Sequence, residues 1–469
     1  MNARNESLPI RIQFVSLGCA KNLVDSEKMM GLLAEAGCTF VSPDAQADLT
    51  IINTCGFIEE ARQEARQTIR QALEDKYSGN TGRIVVTGCL AQLGAGKLLD
   101  EFPDIDALLG LADRSRIAQI AADLVQGTPA KAKKIKANTV IKPFHTGVHE
   151  DQARLRLTDP SWAYLRISEG CGMGCTFCTI PAIRGPFRSK PLDRILAEAA
   201  ELVRDGAVEL NLIGQETSGY GSDLGLVSGF SELLKQLNQL DLLRWIRILY
   251  AHPATLTDAH IEMMAACQKV VPYIDIPLQH INDRILKLMH RRINRKQTEE
   301  IIRKLRHIIP EITIRTTLLV GFPSEKDSEF EELLNFVVEN RFEALGCFTY
   351  SPEEGTAAAR IKNHVPQEIK QQRLDRIMTA QQQIAFDHAR RQVGKNPDCL
   401  ITSFLEPPAI RDLKLDRKKI WYNARHRGQA PEIDGVCYLA GEKADKDLIG
   451  TIRPAAISGH MDYDLIGSV

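Results

Sequence analysis

The sequence predicts an α/β protein in three parts: an N-terminal parallel α/β domain, a central partial barrel of six β/α units, and a small C-terminal β-barrel. Three observations support this fold class. Short apolar runs alternate with helical patterns near the N-terminus, and the same alternation occurs six times in the middle of the chain. The last part contains short apolar segments broken by Gly, Pro, Asn and Asp, which is typical of a small all-β domain.

The composition is that of an ordinary globular protein with core material for two or three domains. The chain has 469 residues, 44% of them hydrophobic, and its 59 Lys+Arg against 60 Asp+Glu exclude a chain-wide basic field for binding nucleic acid. The first twelve residues lack the apolar core of a signal peptide, and no run of 18 apolar residues occurs, so we expect a cytoplasmic protein without a membrane partner. In that reducing compartment, 11 cysteines favour metal binding, catalysis or burial over disulfides.

The N-terminal domain is predicted over residues 10–126. Its apolar runs, separated by helical patterns that include Val24–Glu35 and Glu59–Leu73, predict three parallel strands at Ile12–Val15, Leu49–Ile52 and Ile84–Thr87. A cysteine follows each predicted strand, namely Cys19, Cys55 and Cys89. Because the carboxyl ends of parallel strands lie at one edge of a sheet, where such sheets bind ligands, we expect the three thiols to share that edge.

Residues 127–156 are predicted to be a linker. They include five lysines within a stretch that has no acidic residue: Lys131, Lys133, Lys134, Lys136 and Lys142. Two interpretations are open, a solvated lysine run or a contact with RNA or a ribosome.

The central domain is predicted over residues 157–390. Its six strands are expected at Tyr164–Ile167, Glu209–Ile213, Trp245–Tyr250, Tyr273–Ile276, Ile312–Val320 and Leu345–Tyr350. One helix is expected to begin with Pro191 in its first turn and to end at Gly206, and a long helix is expected over Gln367–Val393. In such a barrel the chemistry is expected on the loops that follow the strands. Residues 393–469 form the predicted C-terminal barrel.

The motif with the most specific spacing is Cys171-Gly-Met-Gly-Cys175-Thr-Phe-Cys178, directly after the first strand of the central domain. Three thiolates on a tight loop, with Gly172 and Gly174 permitting positive φ, suit one face of a cubane cluster. Since a 4Fe–4S cluster normally takes four cysteines, three imply an open iron for a small molecule. The alternative is a zinc site completed by a remote ligand such as Cys267 or His252.

This motif resembles the cluster loop of the radical S-adenosylmethionine (SAM) enzymes. The resemblance implies that the amino and carboxylate groups of SAM occupy the open iron, and that reductive cleavage of SAM yields a 5′-deoxyadenosyl radical. It also implies that Phe177 packs near the cluster and adenine, although ordinary core packing is an equal alternative for this side chain. The string GQETSGYG after the second strand places Gln215 and Glu216 where the family makes polar contacts to SAM.

The whole chain resembles the radical SAM methylthiotransferases. That family has a flavodoxin-like N-terminal domain, a radical SAM core and a C-terminal TRAM domain. The resemblance implies a second, auxiliary 4Fe–4S cluster on Cys19, Cys55 and Cys89, and it implies no further catalytic residue beyond the ligands of the two clusters. It also implies two molecules of SAM per turnover, one donating a methyl group and one initiating the radical reaction, together with an electron donor and a sulfur donor.

Several strings resemble the RimO branch of this family, which modifies the β-carbon of an aspartate in ribosomal protein S12 of the small subunit. They are VSLGCAKNLVDSE, NTCGFIEEA, IPAIRGPFRSKP, GQETSGYGSDL, DIPLQH and APEIDG. The alternative branch, which is MiaB-like and acts on tRNA adenosine, typically has GCQMN at the first cysteine and GQNVNSY after the second barrel strand, and this chain has neither string. The expected partner is therefore S12 or the ribosomal subunit rather than tRNA.

The charge of residues 393–469 agrees with a protein partner. This segment has 11 Lys+Arg and 11 Asp+Glu, whereas a module that grips tRNA is usually basic. We hypothesise that Glu432, Asp434, Asp462 and Asp464 share one face that attracts a basic protein. Two other classes of function compete with the enzyme: a non-enzymatic iron–sulfur electron carrier, which needs no open iron, and a zinc-dependent RNA-binding module.

Overall fold

The computed structural model describes residues 9–127, 141, 148 and 150–469. The five lysines of the predicted linker, from Lys131 to Lys142, all lie outside the described residues. The chain divides into two compact units. The first comprises residues up to 157 together with the short segments 169–172 and 179–188, and the second comprises residues 158–168, 173–178 and 189–469.

A five-stranded parallel sheet organises the first unit. Its strands are β1 (Arg11–Ser16), β2 (Thr39–Phe40), β3 (Ala47–Thr54), β4 (Thr81–Gly88) and β5 (Ala107–Leu109). All pairs are parallel and the spatial order is β2-β1-β3-β4-β5, which is the flavodoxin-like order that the resemblance implied. The three predicted strands are present, whereas β2 and β5 were missed because two or three residues are too few to show a period of two.

Helices cover both faces of this sheet. They are α1 (Ala20–Glu35), α2 (Glu59–Tyr77), α3 (Cys89–Glu101) and α4 (Ile117–Val125), with a 3-10 helix at Leu111–Arg116. The unit also contains a short helix, α5 (Ile180–Arg184). Neighbouring residues of β3 point to opposite faces, so Ile51 packs with α1 and α4 while Ile52 packs with α2 and α3. Because both faces are covered, β3 is buried along almost its whole length.

The second unit contains a six-stranded parallel sheet in which every strand lies beside its predecessor. The strands are β6 (Trp162–Arg166), β9 (Glu209–Ile213), β10 (Trp245–Ile248), β11 (Val270–Asp275), β12 (Thr313–Val320) and β13 (Ala344–Thr349). Two short strands, β7 (Ser168–Glu169) and β8 (Arg188–Ser189), form a separate ribbon. The sequential order confirms the predicted partial barrel of six β/α units.

Seven helices belong to this barrel among the described residues. They are α6 (Leu192–Arg204), α7 (Gly229–Leu237), α8 (Asp258–Ala266), α9 (Asp283–Leu288), α10 (Arg295–Ile308), α11 (Asp327–Asn340) and α12 (Gln367–Gln392). Pro191 is the N-cap of α6 rather than its first helical residue, and Gly206, with φ of +100°, follows the C-cap as expected. No helix in the described part of the chain is both long and apolar enough to cross a lipid bilayer.

The C-terminal part is a curled, mainly antiparallel sheet. Its strands are β14 (Asp398–Phe404), β15 (Ile420–His426), β16 (Cys437–Gly441), β17 (Ile452–Pro454), β18 (Ala456–Met461) and β19 (Asp464–Ser468), with a short helix α13 (Pro407–Asp412). The order β17-β14-β15-β16-β19-β18 puts β17 and β18 at opposite edges, although Ala455 alone separates them in sequence. The sheet must therefore curl until its edges meet, as in the predicted small barrel. The predicted domain boundaries stay a prediction.

Candidate functional site

The three N-terminal cysteines lie at one edge of the first sheet, as predicted. Cys19 is the N-cap of α1 after β1, Cys55 directly follows β3, and Cys89 directly follows β4 as the first residue of α3. Strands β1, β3 and β4 are neighbours and parallel, so all three cysteines are at their carboxyl ends. This edge includes the point between β1 and β3 where the strand order reverses.

Gly18 shows how closely two of these loops approach each other. It has a φ of +95°, and a Cβ placed on it would lie 2.8 Å from Cys55 Cβ and 3.2 Å from Cys55 Sγ. Any side chain at position 18 would therefore collide with Cys55, and the left-handed backbone would strain it as well. Glycine is required here so that the Cys19 loop can lie against the Cys55 thiol.

The three thiols influence one another electrostatically. Burial raises the pKa of Cys89 to about 12, and the nearby Cys19 and Cys55 add to this rise. Burial also raises the pKa of Cys55. Desolvation opposes the ionisation of Cys19, but the Lys21 ammonium and the Arg184 guanidinium lower its pKa. As anions the three thiols repel one another, which favours their protonated form. A bound metal cluster would favour the opposite state, because coordinating thiols are deprotonated.

The second set of cysteines belongs to the loop after β6 and β7. In the first unit, the Cys171 N–H donates to Gly185 O over 3.2 Å, and in the second unit the Cys178 N–H donates to Cys175 O over 3.2 Å. Gly174 adopts the expected positive φ of +66°, but Gly172 does not, and Gly170 does instead, with a φ of +71°. The tight turn is therefore present. Its two left-handed glycines are Gly174, inside the cysteine motif, and Gly170, just before it.

Arg291 is a site residue that the sequence did not reveal. Its buried guanidinium donates to Cys175 Sγ over 3.3 Å and also to the carbonyl of Pro277. Arg291 lies more than a hundred positions after the cysteine motif, in the string MHRRINR. This separation along the chain made the contact unpredictable from sequence. The only available signal was the group of three arginines in this string.

Phe177 and Glu216 make contacts that suit structural roles. Phe177 is partly buried in an apolar cluster with residues that include Phe322 and Tyr350, as the core-packing interpretation expects, and its contact with the cofactors stays a prediction. The Glu216 carboxylate accepts hydrogen bonds from Ser218 Oγ at 2.6 Å, the Gly219 N–H at 2.8 Å and Thr255 Oγ1 at 2.9 Å. Glu216 therefore organises its own loop, and it holds the neighbouring Gln215 at the carboxyl end of β9.

The two residues considered for a zinc site have other neighbours. His252 Nδ1 accepts from the Ala254 N–H over 3.1 Å, and burial, aided by Arg291 and Arg292, lowers the His252 pKa to about 2. Cys267 is buried against Met263. Within the residues that the structure describes, no three His, Cys, Asp or Glu side chains converge as they would on a single metal ion. A cubane does not require such convergence, because each thiolate binds a different iron.

The loop between β15 and β16 packs against the inner residues of the barrel strands. The Glu209 carboxylate accepts from Arg247 Nε at 2.8 Å and from Arg425 Nη2 at 2.6 Å. Tyr164 Oη donates to Glu432 at 3.0 Å, and Tyr273 Oη donates to Asp434 at 2.7 Å.

These contacts correct the hypothesis of a four-carboxylate docking face. Asp434 is bonded to Tyr273 and pairs with Arg315 at 3.6 Å, and the Glu432 carboxylate is bonded to Tyr164. Asp464 accepts from the Val436 N–H at 2.8 Å. Three of the four carboxylates thus bind residues of neighbouring segments, whereas Asp462 is exposed. Sequence proximity suggested a shared face, but the turn of the loop directs two of them toward the barrel.

Family models match all three parts of the chain. The model described as uncharacterized protein family UPF0004 matches residues 11–110, the Radical SAM superfamily matches residues 165–337, and the TRAM domain matches residues 409–469. Two solved structures have a similar fold. The radical SAM methyltransferase TsrM from Kitasatospora setae has a TM-score of 0.52 at 14% identity over 73% of this chain and 75% of its own. The cobalamin-dependent SAM radical enzyme OxsB has a TM-score of 0.51 at 12% identity over 79% of this chain and 56% of its own.

Curated relatives match nearly the full length. A protein of Geotalea uraniireducens named ribosomal protein uS12 methylthiotransferase RimO is 40% identical over 463 residues, which cover 99% of both chains. A protein of the same name from a Thermoanaerobacter species is 40% identical over 459 residues, covering 97% of this chain and 99% of the relative. The corresponding protein of Syntrophotalea carbinolica is 38% identical over 459 residues, covering 98% and 96%.

Proposed function

Because the chain belongs to the RimO family of radical SAM methylthiotransferases, we propose that it attaches a methylthio group to the β-carbon of an aspartate in ribosomal protein uS12. The observation on which the chemistry rests is the presence of two separate sets of three cysteines, one at the edge of a parallel sheet and one on the loop after β6 and β7. Each set leaves one iron of a 4Fe–4S cluster without a protein ligand.

The radical SAM family implies one 4Fe–4S cluster and SAM. We assign this cluster to Cys171, Cys175 and Cys178, and an auxiliary cluster to Cys19, Cys55 and Cys89. The donor sets suit these groups, because both consist of thiols and because arginine side chains donate to a sulfur in each, Arg291 to Cys175 and Arg184 to Cys89. Hydrogen bonds to cluster sulfurs are one of the means by which proteins set cluster potentials.

When bound, the reduced cluster and SAM supply the 5′-deoxyadenosyl radical that activates a C–H bond. The protein's own residues position these groups. Glu216 fixes the loop that presents Gln215, and Phe177 fills the apolar space behind the cysteine loop. The N-terminal edge provides the sulfur site, where Lys21 and Arg184 favour anionic sulfur at Cys19.

Triple cysteine variants test the two-cluster assignment. Changing Cys171, Cys175 and Cys178 to Ala should leave about half the iron and abolish 5′-deoxyadenosine formation. Changing Cys19, Cys55 and Cys89 to Ala should also remove about half the iron, yet leave SAM cleavage measurable. The matched control changes the buried Cys267, Cys347 and Cys399 to Ala and should keep all the iron. Full iron and sulfide in either ligand variant would refute the assignment.

The substrate is tested in a strain that lacks this enzyme. We expect ribosomal protein uS12 to lose about 46 Da from one aspartate, the mass of a methylthio group in place of hydrogen, while tRNA methylthio-adenosine is unchanged. The opposite pattern would favour the MiaB-like alternative, since the six cysteines serve both branches. An electron carrier would change neither molecule, and it would not bind SAM tightly.

A further inference from the structure

Arg184 lies in a buried network of four charged side chains in the first unit. Its guanidinium donates to Asp25 Oδ2 at 2.9 Å and to Glu169 Oε1 at 3.0 Å, and Asp25 also pairs with Arg114. All four side chains are at most 6% exposed. Within this set, two guanidinium groups face two carboxylates.

Stability alone does not account for this network. Replacing a buried set of ion pairs with apolar residues of similar volume is often neutral or stabilising, because desolvating the charges is costly. The network does something that apolar residues would not do, because Arg184 Nη2 also donates to Cys89 Sγ over 3.5 Å. Asp25 and Glu169 hold the guanidinium so that one of its N–H groups is directed at this sulfur.

The helix that contains Arg184 contacts Cys89 in a second way. Ile183, the residue before Arg184 on α5, packs with Cys89 and Leu111 in a small apolar cluster. Two consecutive side chains of α5 therefore contact the same cysteine, one by packing and one by hydrogen bonding. The position of Cys89 depends on this short helix as well as on the end of β4.

The residue after Arg184 contacts the other set of cysteines. Gly185 O accepts the Cys171 N–H over 3.2 Å. Glu169, bonded to Arg184, is two residues before Cys171, and between them Gly170 lies so close to this segment that a Cβ would be 2.1 Å from Pro186 O. The dipeptide Arg184–Gly185 thus contacts Cys89 through a side chain and Cys171 through the backbone, and all of these residues belong to one compact unit.

We propose that Arg184 is a positioning residue that fixes Cys89 relative to the segment holding Cys171 and raises the reduction potential of the auxiliary cluster. This inference rests on the proposed function, because it requires a cluster on Cys19, Cys55 and Cys89. A cation that donates a hydrogen bond to a ligand sulfur stabilises the reduced, more negative form of a cluster. Removing that donor should shift the potential of this cluster to a more negative value.

The experiment isolates the auxiliary cluster in the full chain with Cys171, Cys175 and Cys178 changed to Ala. Three further variants are made in that parent: Arg184→Met, Arg184→Lys and the control Arg116→Met. Each protein is reconstituted with iron and sulfide, and its iron and sulfide content, electron paramagnetic resonance spectrum and reduction potential are measured. Arg116 belongs to the same unit but is 53% exposed and pairs with Asp113, so its loss should change nothing at the cluster. We expect Arg184→Met to shift the potential downward and to change the spectrum, and Arg184→Lys to recover part of the shift because it keeps the charge.

The outcomes separate this inference from the proposed function. A parent that holds no iron refutes the auxiliary cluster itself. A parent that holds the cluster, with Arg184→Met at the same potential and spectrum, overturns the role of Arg184. If Arg184→Met does not fold, as judged by circular dichroism, Arg184→Lys decides: an unshifted potential and spectrum overturn the inference, and a changed spectrum with a lowered potential supports it.

Discussion

The Arg291 guanidinium donates a hydrogen bond to Cys175 Sγ across 3.3 Å, while its other terminal nitrogen donates to the carbonyl of Pro277. The side chain is buried, so bulk water does not compete for this hydrogen bond. The carbonyl fixes the guanidinium, and the guanidinium in turn contacts a proposed ligand of the radical SAM cluster. Residues that orient or hydrogen-bond ligands commonly affect metal affinity or activity by about 10–100-fold.

We therefore predict that Arg291→Met forms 5′-deoxyadenosine about 10–100 times more slowly than the unchanged enzyme. The product is quantified by chromatography and mass spectrometry after anaerobic reconstitution. The control is Arg303→Met, which removes an exposed arginine paired with Glu300 on α10. Equal rates for all three proteins, at equal iron content, would contradict a role for the Arg291–Cys175 contact.

A second prediction concerns Glu216, whose carboxylate accepts from Ser218, Gly219 and Thr255. All three donors reach Oε1, and the Gly219 N–H also reaches Oε2. In Glu216→Gln, the NH2 group that replaces Oε2 cannot accept from Gly219, and the remaining oxygen is no longer charged, so these hydrogen bonds should weaken by about 1 kcal/mol. The loop should loosen, and SAM should bind more weakly in equilibrium dialysis. Glu232→Gln, on the outer helix α7, should leave SAM binding unchanged. Unaltered affinity in Glu216→Gln would show that the loop does not contribute to the SAM site.

A third prediction is that one turnover consumes two molecules of SAM. A methyl donor and a radical initiator are chemically distinct uses of this cofactor, so S-adenosylhomocysteine and 5′-deoxyadenosine should both form for each methylthio group added. Both products are counted against modified substrate peptide by mass spectrometry. If the product carried sulfur but no methyl group, and 5′-deoxyadenosine formed without S-adenosylhomocysteine, the reaction would be sulfur insertion only.

Periodicity predicted much of this fold because the major strands are buried and regular. The six barrel strands and the long helix α12 were expected close to their observed bounds, and Cys19, Cys55 and Cys89 were expected at one sheet edge. The expectation for the cysteines held because strand order in parallel sheets restricts where loops lie. The strands β2 and β5 are too short to leave a pattern.

The charged contacts around the cysteines were not predictable in the same way. Arg184 and Arg291 are distant in sequence from Cys89 and Cys175, and an arginine that contacts a sulfur has no local pattern that distinguishes it from a surface arginine. The same reason explains the incorrect expectation for Asp434. Its neighbours in sequence suggested an exposed acidic face, but its partner Tyr273 is on a barrel strand.

The fourth prediction concerns the buried ion pairs that join strand β15 to the barrel. Glu209 is fully buried between Arg247 and Arg425, which lower its pKa although burial alone would raise it. Glu209→Gln leaves two guanidinium groups without their counter-ion and should lower the free energy of unfolding by about 3–5 kcal/mol. Adding Arg425→Met should cost less than the sum of the two single changes, because the second change removes a charge that the first left unpaired. Urea denaturation of the cluster-free protein measures both effects, and strict additivity would contradict the proposed coupling.

The fifth prediction is a loss of stability in mild acid caused by His426. Burial, together with the cations Arg247, Arg425 and Lys395, lowers the His426 pKa from its ordinary 6.5 to about 4. The neutral ring accepts the Gly428 N–H at Nδ1 over 3.0 Å, a bond that protonation removes. Because the unfolded chain binds this proton more readily, the contribution of His426 to stability is present above about pH 6.5 and is lost as the pH falls toward 4.

Between about pH 7 and about pH 5, this one group should account for up to about 2 kcal/mol of the decrease in unfolding free energy. Other groups titrate over the same range, so the informative quantity is the difference between the unchanged protein and His426→Asn. The Asn side chain can accept the Gly428 N–H through its oxygen but carries no titrating ring. His307→Asn, at an exposed position in the last turn of α10, is the matched control and should keep the full pH dependence. If His426→Asn and His307→Asn lose stability equally on acidification, His426 is not the group that makes this loop sensitive to pH.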